Sequence, residues 1–330
     1  MRILIVTPAG LGTRVGNRIT ALRMAGLLRG QGHQVKLRVA HDEVGADVMF
    51  ALHAGKSAAA VEWAARHSPP IPTALVLTGT DIYGDGTGLS PTVIGSLELA
   101  TRLIILQPRA MQEVPERFRG KTTLILQSAR ARRAHCPGGT DPFDVCVLAN
   151  LRAVKDPLLA ARAARRLPQD SKVRVRLIGE ALDPSSRSTV EREARENPRF
   201  EWLGPLSYGD SQRLLAASQV LVMSSLAEGG PAVVTEAIAH GVPVLATRIP
   251  AAEGLLGNDH PGLFPVRDEK ALCVLLQRCE QDPVFLEELR GLSNRLRDSV
   301  SPERESADLR ALLAELTDNS HIAKAPRPLD

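Results

Sequence analysis

Residues 219–246 constrain this chain most. Gln219-Val-Leu-Val-Met223 is an apolar run of strand length, Ser224–Gly230 is a polar loop holding Gly229 and Gly230, and Pro231 fits a first helical turn. Gly241 fits the residue just past the helix end, and Val242-Pro-Val-Leu-Ala246 restarts an apolar run. The order is therefore strand, glycine loop, short helix, strand, which is the repeating unit of a parallel α/β sheet.

Such a loop carries chemistry of its own. A helix beginning near Pro231 leaves backbone N–H groups at Gly229, Gly230 and Ala232 aimed outward, and its dipole favours negative charge there. Glu236, at least a turn further in, is placed to accept hydrogen bonds from a diol such as a ribose. Phosphate and diol together point to a nucleotide sugar. An ordinary crossover with Glu228 and Glu236 merely solvated satisfies the same spacing.

The same alternation runs through the chain. Apolar runs at Met1–Thr7, His33–Val39, Ala74–Thr78, Leu103–Gln107 and Thr123–Gln127 read as strands, as does Asp47–Ser57, which ends in His53, Lys56 and Ser57, and an amphipathic helix runs through about Arg29 after the first. Arg130–Pro142 is basic, rich in Pro and Gly and lacks apolar periodicity, so it reads as a linker. Strands then resume at Phe143–Ala149, Val173–Ile178 and Phe200–Leu203, with helices near 187–196 and 210–217. Two Rossmann-like domains follow, at 1–135 and 142–301, with a helix over 302–316 carrying Leu309, Leu312, Leu313 and Leu316, and a frayed tail over 317–330.

In open α/β sheets ligands gather at the carboxyl ends of strands. In the first domain that places Arg14, Asn17 and Arg18 at the start of the first helix, where two guanidinium groups are suited to clamping an oxyanion. His53 and Lys56 close the third strand, and the Thr78-Gly-Thr80-Asp81 turn closes the fourth. A lone His at a strand end is also met as a structural residue. Gly10, Gly12 and Gly16 do not make GxGxxG, so a dinucleotide fingerprint is not satisfied.

Composition excludes several classes. A net charge of +4, with basic residues scattered rather than interleaved with the 3% aromatics, gives little support to nucleic-acid binding. No apolar stretch reaches membrane-spanning length and the first strand lacks a signal-peptide start, so a cytoplasmic protein without stable membrane association is expected. Cys136, Cys146, Cys273 and Cys279 show no CxxC pairing or zinc spacing, and there is no Asp-x-Asp, so neither cofactor nor metal is expected.

The wording Glu228-Gly-Gly-Pro231, a second acid at Glu236, then Ala237-Ile-Ala-His-Gly-Val-Pro-Val-Leu-Ala246 resembles the donor-site signature of GT-B glycosyltransferases of the retaining family 4 type. That resemblance implies two domains facing across a cleft and a C-terminal helix crossing back to the first. It implies a UDP-sugar donor, a diphosphate gripped by Lys155 with Arg152 standing in for the usual Arg at Asn150, and backbone contact to the base near Leu206. It also brings Gly12, in the glycine-bearing first loop, to the donor side, and makes Glu228 a candidate catalytic residue. Positive charge and helix amides would stabilise the leaving diphosphate, with the acceptor attacking on the same face.

More narrowly, Gly16-Asn-Arg-Ile-Thr-Ala-Leu-Arg23, Ala51-Leu-His-Ala-Gly-Lys-Ser-Ala58, Leu77-Thr-Gly-Thr-Asp-Ile-Tyr83, Leu106-Gln-Pro108 and Leu126-Gln-Ser-Ala129 resemble the selenosugar synthases of selenoneine biosynthesis. That family joins a sugar from UDP-N-acetylglucosamine or UDP-glucose to selenophosphate, releasing UDP and phosphate. Thr78, Gln107 and Gln127 depart from general family 4 and agree with this narrower group. The acceptor set implied is Arg14, Asn17, Arg18, His53, Lys56 and Thr80. The alternatives are a family 4 transferase with a hydroxyl acceptor and a non-catalytic nucleotide-sugar-binding protein.

Overall fold

The computed structural model describes residues 1–8, 10, 16–40, 45–79, 81–83, 88–131 and 141–318. Gly12, Arg14, Thr80, Cys136 and most of the expected linker lie outside them. The chain divides into two compact units, Met1–Gln127 together with the chain from Pro302 onward, and Ser128–Ser301. Among the described residues each unit holds one parallel sheet of six strands.

The first sheet contains β1 (Arg2–Val6), β2 (Gln34–Arg38), β3 (Val48–Leu52), β4 (Thr73–Val76), β5 (Arg102–Ile105) and β6 (Thr122–Leu124). Their order is β2-β1-β3-β4-β5-β6, every pair parallel. β1 and β3 read as near-continuous apolar runs because both faces are covered. Ile3 and Ile5 join one buried cluster while Leu4 and Val6 join another, as the two-residue strand period requires. β2 lies at the edge, and its side chains alternate in burial accordingly.

Helices α1 (Gly16–Gly30), α2 (Ala58–Arg66), α3 (Pro91–Leu99) and α4 (Glu116–Arg119) connect these strands. The second sheet contains β7 (Phe143–Leu148), β8 (Val173–Ile178), β9 (Phe200–Trp202), β10 (Val220–Met223), β11 (Val244–Thr247) and β12 (Leu263–Phe264). Its order is β12-β11-β10-β7-β8-β9, again all parallel. Its helices are α5 (Leu159–Ala164), α6 (Pro184–Glu196), α7 (Tyr208–Ala217), α8 (Ala232–His240), α9 (Pro250–Leu256), α10 (Glu269–Gln281) and α11 (Pro283–Leu296).

The last helix, α12 (Pro302–Thr317), returns to the first unit. Leu309, Leu312, Leu313 and Leu316 repeat at helical spacing and are buried with Ala21, Met24, Ala25 and Leu28 of α1. Arg23 pairs with the buried Glu305 at 3.0 Å and Arg102 with Glu315 at 3.0 Å, which fixes the helix along its length. Among the described residues no helix is long and apolar enough to cross a membrane.

In both sheets the strand order reverses beside the first strand. From β1 the chain goes outward to β2 and then back to β3; from β7 it runs outward through β8 and β9 and then back to β10. Ligands in such sheets bind outside the carboxyl ends of the strands flanking the reversal. The loops after β1 and β3, and those after β7 and β10, are therefore where function is sought.

Candidate functional site

In the second unit the loop after β10 is tied to the loop after β7. Leu226 N–H donates to the Val154 carbonyl at 2.8 Å, and the Ser224 hydroxyl donates to the Asp156 carbonyl at 2.8 Å. Asp156 adopts the left-handed conformation, φ 37°, which turns the chain just after Lys155. Lys155 Nζ thereby meets Glu228 Oε1 in an ion pair, and the Ser225 hydroxyl donates to the same oxygen at 2.6 Å. These residues, with Ala149 and Met223, line a small cavity at the strand ends.

Pro231 is the N-cap of α8, one residue earlier than its expected place in the first turn, and no side chain caps that end. Gly229 and Gly230 thus lead straight into a nine-residue helix whose dipole faces Glu228 and Lys155. At the other end Gly241 takes the left-handed conformation at φ 70° and its N–H bonds back to the carbonyls of Ala237 and Ile238. Glu236 is on α8 and buried, 8% exposed, in a position that only a partnered carboxylate tolerates.

Arg152 is exposed on the loop of Lys155, whose N–H bonds to the Arg152 carbonyl at 2.8 Å. Asn150 is engaged structurally, its Oδ1 accepting from Glu180 N–H at 3.0 Å. Leu206 is on the loop after β9, two strands from β7. The structure therefore gathers Arg152, Lys155, Glu228, Gly229, Gly230, Pro231, Ala232 and Glu236 onto two neighbouring loops and one helix. Leu206 stands apart from that group along the sheet edge.

In the first unit Asn17 and Arg18 lie half-buried in the first turn of α1, which carries no acidic residue there. Arg18 Nη1 is buried with no hydrogen-bond partner among the described residues. His53 ends β3 in the left-handed conformation, φ 73°, and is buried. Its Nδ1 accepts from Lys56 N–H at 3.3 Å and lies 4.0 Å from Asp81 Oδ2. With Nδ1 an acceptor, the neutral ring carries its proton on Nε2. Burial lowers the His53 pKa, Asp81 opposes that, and Lys56 adds to it, so the ring is neutral near pH 7. Lys56 itself is exposed.

Asp81 is a residue that motif reading quotes without a role. Its buried carboxylate accepts from the backbone N–H groups of Ala54 at 2.9 Å, Thr78 at 2.9 Å and Gly79 at 2.7 Å. It therefore locks the end of β3 to the turn after β4 and holds His53 in its strained backbone. The available signal was an acid directly after a Gly-Thr turn at a strand end, where carboxylates commonly collect backbone donors.

The family model described as "Glycosyl transferases group 1" matches residues 133–297, half of the chain. The "Glycosyltransferase 1 domain-containing protein 1" of Xenopus tropicalis is 34% identical over 119 residues, 36% of this chain and 34% of that protein, so the match spans about a third of that relative. Among solved structures, Anabaena Alr3699/HepE in complex with UDP-glucose superposes with a TM-score of 0.76 at 15% identity, covering 96% of this chain and all of that one. Sucrose-phosphate synthase (tll1590) from Thermosynechococcus elongatus gives 0.75 at 16% identity over 96% and 98% of the two chains. The pneumococcal O-GlcNAc transferase GtfA in complex with UDP and GlcNAc gives 0.65 at 15%, over 82% and 57%.

Those likenesses fix the fold as GT-B, and the profile match falls across β7 to α11, the sheet that carries Lys155 and Glu228. The chain belongs to the group 1 glycosyltransferases.

Proposed function

We propose that this glycosyltransferase uses a UDP-sugar and that its acceptor is selenophosphate. The observation that carries the donor half is the convergence of Lys155 and the uncapped amino end of α8 beside Glu228, at the strand-order reversal of the second sheet. A diphosphate fits a site of one ammonium and outward-facing amides, and Arg152 on the same loop adds a guanidinium. Glu236 supplies the carboxylate for the ribose hydroxyls. Support comes from the relatives that share the fold: HepE has been crystallised with UDP and UDP-glucose, and GtfA with UDP and GlcNAc.

As the glycosyl–phosphate bond breaks, charge develops on the leaving UDP, and Lys155 with the α8 amides stabilises it in place. Selenium attacks the anomeric carbon on the same face, forming the carbon–selenium bond as UDP departs. Water then cleaves the phosphorus–selenium bond to release phosphate. The acceptor half is carried by the motifs around Asn17, His53, Thr78, Gln107 and Gln127, which resemble the selenosugar synthases, and by the cations Arg18 and Lys56 in the first unit.

A hydroxyl acceptor is the second reading, favoured by the group 1 family match and by a sucrose-phosphate synthase sharing the fold. The test is UDP release from UDP-N-acetylglucosamine or UDP-glucose on adding selenophosphate, with a mass spectrum of the product. A selenium-bearing sugar supports the first reading. UDP release only with sugar or alcohol acceptors overturns it in favour of the second.

A further inference from the structure

The loops after β4 and β5 are joined by a hydrogen bond between the side chains of Gln107 and Tyr83. Gln107 is fully buried at the end of β5 and caps the short 3-10 turn Pro108–Gln112. Its Oε1 accepts from Arg109 N–H at 2.7 Å. A backbone N–H only donates, so the amide oxygen must face Arg109 and the amide nitrogen must face the other way. There it meets the Tyr83 hydroxyl at 2.5 Å. An amide nitrogen also only donates, so the phenol oxygen accepts and its own proton is turned away from Gln107.

Tyr83 is half-buried, and among the described residues no acceptor takes that proton. A part-buried hydroxyl held with its hydrogen unspent is costly unless a ligand or water accepts from it. Tyr83 N–H bonds to the Gly79 carbonyl at 2.9 Å, closing the turn that contains Asp81. Through Asp81, which accepts from Ala54 N–H, this hydroxyl belongs to the same edge of the first sheet as His53 and Lys56.

The geometry points to Tyr83 as a binding residue that donates a hydrogen bond to an oxygen of the acceptor's oxyanion, with Gln107 as the positioning residue that turns the hydroxyl outward. This deepens the acceptor half of the proposed function and rests on it. The ligand class follows from the donors present. The Tyr83 O–H and the Lys56 ammonium are both donors, and a fully ionised phosphate-type group is all acceptor. A sugar hydroxyl would need an acceptor in return. Burial, aided by Glu113 and opposed by Gln107, pushes the Tyr83 pKa up to about 12, so it serves as a donor and not as a base near neutral pH.

The test uses the full chain. Tyr83→Phe removes only the hydroxyl, and it is expected to raise KM for selenophosphate roughly tenfold or more while the Kd for UDP-sugar stays within about twofold. Gln107→Glu is close to isosteric and still accepts from Arg109 N–H, but its second oxygen accepts the Tyr83 proton and turns it inward. It should match Tyr83→Phe, and the double variant should be no worse than either single one. A purely structural role would move melting temperature and donor affinity instead.

Should Gln107→Glu not fold, Tyr83→Phe decides alone. KM within twofold of the parent, or an equal loss of donor affinity, overturns the assignment, as do additive effects in the double variant. Calorimetric titration with inorganic phosphate separates this proposal from the reading beneath it. If the parent releases no UDP with selenophosphate, the acceptor reading fails, yet phosphate binding weakened by Tyr83→Phe still upholds the anion site. Phosphate binding that is absent, or the same in parent and variant, overturns it.

Discussion

Lys155 and Glu228 share one hydrogen-bonded corner with Ser225, the Glu228 side chain being 11% exposed and that of Lys155 30%. A cation that meets a leaving diphosphate earns its effect as charge builds in the transition state. Lys155→Ala should therefore cut kcat by about 100-fold or more while donor Kd changes by less than about tenfold. Steady-state kinetics beside calorimetry separates the two, and intact turnover would remove Lys155 from the leaving-group side. On the proposed reading, in which Glu236 holds the ribose hydroxyls, Glu236→Ala should instead weaken UDP-sugar binding by about 1–3 kcal/mol in the same titration. A third residue acts through pH. His260 is buried, its Nδ1 accepts from Gly262 N–H at 3.1 Å, and its Nε2 has no partner among the described residues. Burial lowers its pKa from 6.5 to about 4. The unfolded chain then takes the proton first as pH falls, so the stabilising contribution is complete above pH 6.5 and is lost on the way down to pH 4, a change of roughly 3 kcal/mol. Urea midpoints at pH 7.5 and pH 4.5 should differ less in His260→Gln than in the parent. Equal pH slopes would refute the assignment.

At the scale of elements, the loop bearing Lys155 is positioned by a close approach of two strand ends. A Cβ at Gly179 would lie 1.8 Å from the Ala149 carbonyl oxygen and 2.4 Å from its carbon, both backbone atoms. Ala149 N–H bonds to the Ile178 carbonyl at 3.0 Å, so the ends of β7 and β8 cannot part without breaking the ladder. Gly179→Ala should cost about 1–3 kcal/mol of stability or more, and should weaken UDP binding because Asn150–Lys155 follows directly. Denaturant unfolding with UDP titration checks both, and unchanged UDP affinity would show that the loop is set independently of this contact. The element scale is also where the sequence is most readable. Buried parallel strands such as β1, β3 and β10 appear as apolar runs because both faces are covered, and the α8 loop appears because paired glycines ahead of a proline mark a loop that enters a helix. Residues 250–300 hold three α-helices, a 3-10 turn at Arg297–Val300 and the two-residue β12, and carry no comparable motif. The Gln107–Tyr83 and Asp81–Ala54 bonds join side chains to positions 24 and 27 residues away, and such pairings leave no local pattern.

Across the whole molecule, the first unit is discontinuous in sequence. Its sheet comes from residues before 128, yet one buried cluster of that sheet is completed by α12, which in sequence comes after the whole second unit. The expectation of a C-terminal helix returning to the first domain rested on resemblance and on four leucines at helical spacing. The structure adds what the helix does there: Leu312 and Leu313 fill the core beside Leu28 and Phe50, and Glu305 neutralises Arg23 within it. Leu312 is 1% exposed, so Leu312→Ala removes a well-buried side chain and should destabilise the first unit by about 2–5 kcal/mol. Because the second unit has its own core, built from Phe143, Val175, Leu245 and their neighbours, the loss should be local. Native-state hydrogen exchange reads this directly. Amides of β1, β3 and α1 should lose protection in Leu312→Ala while those of β7, β8 and β10 keep theirs. Equal loss in both sheets would mean that the two units unfold as one, and that α12 supports the whole chain rather than the half into which it is packed.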